Sequence, residues 1–333
     1  MERKLVNKNL IIKIILFSLI TILIIISLSW IILKWLNEGN LIGKKDNKNI
    51  YEYDIEKLKE VDPKLIHYTE INRFNINLKN PSGLKIYSNN IYITGDNKIM
   101  IYDYKGNFIN QTDLGENAYC LTVDDKIYIG MLDHVEVYDK NLAKINTLLS
   151  TNNKSYYSSV AVFKNNLFIA DAGNKIIYHF NKQGKLLNEI GGKDTRKGIK
   201  GFNIPGIYFD IDVNTDGYLW AVNPGNHSLE KYDFKGNLLV TWDKSSHDIT
   251  DFVGCCNPAH ISVMNNGSIV TCEKGLNRIK VYNNKGVLQS VVAAPKDFTD
   301  DTIITDIDVD ENNNVFLLDP KLKAVRIFRK KNN

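Results

Sequence analysis

The chain has 333 residues, 44% of them hydrophobic, with four cysteines and a formal net charge of +4. Arg3, Lys4, Lys8 and Lys13 against Glu2 place +3 of that charge in the first thirteen residues, so the other 320 carry about +1. That near-neutrality argues against a nucleic-acid partner, which needs a basic surface able to neutralise several phosphates. Four cysteines are too few for a disulfide-built scaffold, and a chain this long builds a core without one.

Ile14 to Leu33 reads IILFSLITILIIISLSWIIL, twenty residues without a charge. At about 1.5 Å per residue they reach about 30 Å, the thickness of the bilayer hydrocarbon. Trp30 and Trp35 fall at its far end, where amphipathic rings favour the interface. The run is longer than a signal-peptide core and lacks a small-x-small cleavage site, so an uncleaved anchor over residues 14–36 is expected. The basic tail 1–13 favours a cytoplasmic N-terminus, with the remainder outside the cytoplasm. Residues 37–65 are polar and lysine-rich and read as a stalk. Within it, DIEKLKEVDPKL suits a turn or two of helix ended by Pro63.

From residue 66 to 333 the chain repeats. Its units begin IYITGDNKIMIYDYKGNF at Ile91, IYIGMLDHVEVYDKNLAKI at Ile127 and LFIADAGNKIIYHFNKQGKL at Leu167. YLWAVNPGNHSLEKYDFKGNL follows at Tyr218, SIVTCEKGLNRIKVYNNKGVL at Ser268 and VFLLDPKLKAVRIFRKK at Val315. An aromatic marks the register at Tyr102, Tyr138, Phe180, Tyr232, Tyr282 and Phe328, 36 to 52 residues apart. A glycine follows four residues later in four units, at Gly106, Gly184, Gly236 and Gly286; Leu142 breaks the pattern. The short β-branched and aromatic runs are strands, and the Asn, Asp and Gly between them supply tight hairpins. With one apolar strand before each unit and one after it, four strands form each unit, the content of a propeller blade. The sixth unit has no fourth strand. The alternating RFNINL, Arg73 to Leu78, is expected to supply it and close a ring of six blades.

Segments such as IADAGNKIIYHFNKQGKL and TCEKGLNRIKVYNNKG resemble NHL repeats, and the resemblance extends to exported bacterial relatives carrying a GCCNP-like segment, here Gly254–Pro258. It implies an all-β, six-bladed β-propeller, preceded in this chain by the predicted transmembrane helix.

Two groups of candidate residues stand out. A polar residue recurs after the second strand of each unit: Asp96, Asp133, Asp171, Asn223, Glu273 and Asp319. A ring of carboxylates suits a hard cation. Repetition in every blade instead favours a backbone-bonding turn residue. The second group surrounds FVGCCNPAH, placed between blades four and five: Cys255, Cys256, His260 and, in the same blade, Cys272. Adjacent Cα atoms about 3.8 Å apart fit a direct Cys255–Cys256 disulfide poorly. A disulfide to Cys272, a thiolate–imidazole metal site and inert thiols all stay open. Only His260, of six histidines, starts an inner strand, and no phosphate loop, HExxH or nucleophile elbow is present.

The sequence therefore reads as a membrane-anchored extracytoplasmic propeller that binds a protein, peptide or glycan, with no nucleic acid and no nameable cofactor. Lactonase-type propellers and the amidating lyase, which hold a metal in the channel, suggest a metal-dependent hydrolase or lyase as the alternative. A redox or electron-transfer accessory using the Cys-Cys loop is a further one.

Overall fold

A computed structural model describes residues 16–30, 34, 55–149, 154–194, 200–299 and 302–332. The chain divides into two compact units, Met1–Asp54 and Ile55–Asn333. In the first, residues 16–30 are helical and their large apolar side chains are exposed. Among the described residues no helix is long and apolar enough to cross a membrane. The flanks of the predicted span, 14–15, 31–33 and 35–36, lie outside the described residues, as do the tail 1–13 and the stalk up to residue 54.

The second unit opens with a short helix, Ile55–Lys59, and a 3-10 turn, Pro63–Leu65, which starts at Pro63 and is capped by Asp62. Twenty-four strands follow among the described residues. β1 is Tyr68–Asn75. Blade 1 is β2 Pro81–Tyr87, β3 Asn90–Gly95, β4 Lys98–Asp103 and β5 Phe108–Asp113. Blade 2 is β6 Cys120–Val123, β7 Ile127–Gly130, β8 His134–Tyr138 and β9 Lys144–Leu149. Blade 3 is β10 Tyr157–Phe163, β11 Asn166–Asp171, β12 Ile176–Asn181 and β13 Leu186–Ile190. Blade 4 is β14 Ile211–Val213, β15 Leu219–Asn223, β16 Ser228–Tyr232 and β17 Leu238–Asp243. Blade 5 is β18 His260–Val263, β19 Ile269–Glu273, β20 Arg278–Tyr282 and β21 Leu288–Ala293. Blade 6 takes β22 Asp306–Val309, β23 Val315–Asp319 and β24 Ala324–Lys330 from the end of the chain.

Each blade is a four-stranded antiparallel sheet, and the sixth is completed by β1 paired to β24, from Tyr68↔Lys330 to Asn75↔Ala324. The propeller with N-terminal closure is thus as the repeats require, but the closing strand begins five residues earlier than RFNINL. The alternation of Phe74, Ile76 and Leu78 has another cause. Ile76 and Leu78 leave the strand to fill the seam between blades 6 and 1, and the Ile76 amide donates to the Lys323 carbonyl at 2.8 Å.

The second and third strands are apolar on both faces because each blade is buried between two others. Ile91 and Ile93 pack with Phe316 and Leu318 of blade 6, whereas Tyr92 packs with Ile127 and Ile129 of blade 2. Outer strands face water and alternate less cleanly; Phe108, Ile109, Leu186 and Leu187 are exposed. The six first strands, β2, β6, β10, β14, β18 and β22, neighbour one another in a closed ring and line the central channel.

Candidate functional site at the channel mouth

Near the start of every inner strand one polar side chain reaches toward the next blade. Ser82 Oγ donates to the Ala118 carbonyl at 2.7 Å, Cys120 Sγ to Tyr157 O at 3.7 Å, and Ser158 Oγ to Phe209 O at 2.7 Å. Asp210 accepts from the Ile261 amide and Asp306 from the Leu84 amide, both at 2.8 Å. His260 Nδ1 stands 3.6 Å from Asp210 and 4.0 Å from Asp306. One layer deeper, Asp212 accepts from Val263 N and Asp308 from Ile86 N, and Lys85 and Ser262 both donate to Asp308 at 3.0 Å. Ser82, Lys85, Cys120, Ser158, His260 and the four aspartates line a cavity of about 60 Å³, enough for a few waters or an ion and too small for a substrate.

The channel is electrically lopsided. Ser82, Cys120 and Ser158 are uncharged and Lys85 of blade 1 is the one cation lining the cavity apart from His260, whereas blades 4 and 6 supply four aspartates. Burial and the neighbouring Asp210 charge push the Asp306 carboxyl up to about 7, partly opposed by His260. Burial alone would lower the His260 imidazole, but Asp210 and Asp306 outweigh it and raise it above its ordinary value. Burial raises Asp212, with Lys85 opposing. Burial would also lower Lys85, yet Asp308 and Asp212 hold it above the usual lysine range.

Asp210, His260 and Asp306 each offer one ligand atom within 4.8 Å of the others, the one such group among the described residues. Each carboxylate already accepts two backbone amides, which fixes its direction but leaves lone pairs for a cation. His260 Nε2 is buried without a partner among the described residues. Two oxygens and one nitrogen fit a divalent ion of intermediate hardness.

Three half-buried tyrosines stand where the inner strands begin. Tyr119 lines the cavity and meets the Tyr156 ring edge-on at 5.0 Å; Tyr208 meets His260 edge-on at 5.8 Å. Lys274 Nζ lies 5.2 Å from the Tyr208 ring and donates to the Cys255 carbonyl at 2.9 Å. The FVGCCNPAH segment joins β17 to β18 at this same end.

The structure separates the cysteine–histidine candidates. His260 lines the channel. Cys272 lies within β19, opposite His260 in register, with its side chain in the core between blades 5 and 6. Cys255 is exposed and Cys256 half-exposed, and all four cysteines are unbridged. None of the six recurrent polar residues lines the cavity. Asp96 accepts from the amides of Lys79 and Asn80. Asp171 accepts from Tyr156 N at 2.9 Å and Asn174 N at 3.0 Å, so it positions a mouth tyrosine. Asn223 accepts from Asn203 N at 2.8 Å, and Asp319 from Leu322 N at 3.0 Å. Among the described residues Asp133 meets His134 Nδ1 alone, at 3.0 Å, on the surface. Glu273 pairs with Arg278 and Lys280 in the interior.

The sequence reading missed Asp210, Asp212, Asp306 and Asp308. A signal was present: the inner strands of blades 4 and 6 share the tetrapeptide DIDV, residues 210–213 and 306–309. Their isoleucines are buried, while alternate aspartates enter the channel.

No protein-family model matches the chain, and no curated protein matches it. Solved structures share its fold. Virginiamycin B lyase from Staphylococcus aureus matches with a TM-score of 0.57 at 12% identity, over 79% of this chain and 100% of that one. A streptogramin B lyase matches with a TM-score of 0.55 at 16% identity, over 79% and 98%. A protein of unknown function from Bacteroides thetaiotaomicron matches with a TM-score of 0.58 at 16% identity, over 79% and 76%. At such identities the likeness establishes the six-bladed propeller fold alone.

Proposed function

We propose that this chain is a membrane-anchored, extracytoplasmic binding protein whose propeller receives a protein, peptide or glycan ligand at the channel mouth. The observation that carries the reading is the convergence there of Tyr119, Tyr156, Tyr208 and Lys274 above a polar cavity. Half-buried aromatic rings give large contact area at low entropic cost and suit sugar faces and peptide side chains. The anchor draws support from the helix at 16–30. It carries no charged residue, and its Thr21 and Ser27 hydroxyls donate to carbonyls of their own helix, as lipid surroundings demand.

Glycan and peptide arrays probed with the detergent-solubilised full chain test the binding reading. Tyr208→Ala is expected to weaken the selected ligand about tenfold, a typical loss for an aromatic anchor. Binding unchanged by both Tyr208→Ala and Tyr119→Ala would remove the mouth from consideration. For the anchor, the chain should stay with membranes through alkaline carbonate extraction; release by carbonate would refute it.

The Asp210–His260–Asp306 group favours a second reading, a metal-dependent hydrolase or lyase. These three residues would hold the ion, which when bound would supply Lewis-acid polarisation of a carbonyl or leaving group. The tyrosines and Lys274 would orient the substrate, since the cavity itself admits none. Calorimetric titration with manganese and magnesium decides whether this reading survives: no uptake by the chelator-treated full chain would end it.

A further inference from the structure

The segment from Phe252 to Ala259 is held more firmly than a surface connection needs to be. Asn257 is fully buried. Its Nδ2 donates to Val253 O at 2.6 Å and Lys274 O at 3.0 Å, and its Oδ1 accepts from Lys274 N at 2.9 Å. Lys274 Nζ then reaches back to Cys255 O at 2.9 Å. Gly254, at φ 82°, and Cys256, at φ 64°, turn the chain through the left-handed region on either side of Cys255. For Cys256 that conformation is unfavourable, yet the pinned loop imposes it. The result is two outward-facing sulfurs only 2.9 Å apart. Cys272 offers no competing partner, being buried in the core.

We propose that Cys255 and Cys256 form a reversible dithiol–disulfide site, closing into an eight-membered ring on meeting a disulfide oxidant, either a small-molecule disulfide or the reactive disulfide of an oxidoreductase. The more exposed Cys255 thiolate attacks one sulfur of the oxidant, giving a mixed disulfide and releasing one thiol. The Cys256 thiolate then attacks Cys255 Sγ, forming the intramolecular S–S bond and releasing the second thiol. Two S–H bonds are lost and one S–S bond gained; two electrons and two protons leave with the oxidant as its two thiols. The Cα spacing of neighbouring residues, about 3.8 Å, lies below the usual disulfide window, so the ring is strained. Strained disulfides are the easily reduced ones, which makes the closure reversible. The short Cα spacing thus strains this ring without forbidding it. Lys274 bridges the loop and the channel mouth, its Nζ donating to Cys255 O at 2.9 Å and lying 5.2 Å from the Tyr208 ring.

The test equilibrates the reduced full chain in mixtures of reduced and oxidised glutathione, quenches in acid, then denatures, alkylates and weighs it. In oxidised buffer the expected product carries two alkyl groups, both mapped to Cys120 and Cys272, with the 252–260 peptide lighter by two hydrogens. Returning it to reducing buffer should restore four alkyl groups. In the same oxidised buffer, Cys256→Ser should stop at the Cys255–glutathione mixed disulfide. Four alkyl groups at every buffer ratio, or a bridge from either residue to Cys272, would overturn the proposal. The wild-type count requires no variant to fold, and none of these outcomes depends on what binds the mouth.

Discussion

Glu273 shows how one position in a repeat acquires a separate role. In four of the other blades the equivalent residue, Asp96, Asp171, Asn223 or Asp319, accepts backbone amides. In blade 5 it is wholly buried between Arg278 and Lys280, which are also buried. Lys280 further donates to Ile249 O at 3.0 Å and Asp251 O at 2.6 Å, tying the 244–252 connection to the blade. Glu273→Gln would leave two buried cations uncompensated and should cost about 3–5 kcal/mol in urea unfolding. Lys280→Met should cost less, because Arg278 still neutralises Glu273. Burial pushes Lys280 down to about 8 against an ordinary 10.5, although Glu273 pulls the other way. Between those pH values the unfolded chain binds more protons at this site, so this contribution to stability rises with pH across the window. Wild type should therefore gain on Lys280→Met between pH 8 and 9.5. A constant difference between their unfolding midpoints would contradict the assignment. The position of Glu273 was legible from the repeat. Its partners were not, because residues five and seven further on meet it only once the hairpin has formed.

At the scale of the hairpin, the turn between third and fourth strands is built the same way in five blades. Asp103, Asp139, Asn181, Asp233 and Asn283 follow the marker aromatic, and one side-chain oxygen accepts the amides two and four residues on. The residue three positions on must then take positive φ. It is glycine at 106, 184, 236 and 286, and Leu142 at φ 66° in blade 2. Burial of the Leu142 side chain in the seam between blades 1 and 2 offsets its left-handed strain. A methyl at Gly236 would meet Glu189 O at an ordinary 3.5 Å, so Gly236→Ala should lose only the conformational cost, about 1–2 kcal/mol. At Gly286 it would come within 2.9 Å of the Trp242 ring, so Gly286→Ala should lose more. Equal thermal shifts for the two would count against this account. Turn chemistry of this kind is local, which is why the repeats revealed the fold so fully. The channel was harder to read: Asp210 just before β14 and Asp306 at the start of β22 have apolar neighbours that dominate the pattern, and their nearness depends on six strands meeting at an axis. The mouth tyrosines escaped notice for the same reason, as they precede strands in three different blades.

The whole ring depends on one pairing. β1 fastens blade 6 by its backbone ladder and by Glu70, whose carboxylate accepts from the buried Arg326 at 2.7 Å and from Arg73 at 2.6 Å. Arg326 also meets Asp319 at 3.4 Å, so Glu70→Ala should weaken the closure by about 1–3 kcal/mol without unpairing Arg326 completely. Removing residues 55–75 should do far more. It bares the edge of β24 and takes Tyr68 out of the seam between blades 5 and 6, and the truncated chain is expected to lose its cooperative unfolding transition and self-associate in sedimentation. A monomer with an unchanged transition would show that the ring stands without β1.

The same pairing sets an order in time. Tyr68 is made long before Lys330, its partner. Five blades can assemble from neighbouring residues as they emerge, but the strand that leaves the ribosome first must wait for the last one. Until then the seam between the first and last blades has no second wall, and the Asp306 carboxylate has no Leu84 amide to grip. Synthesis and closure thus run in opposite order, and a chain interrupted near its end would be left as an open arc.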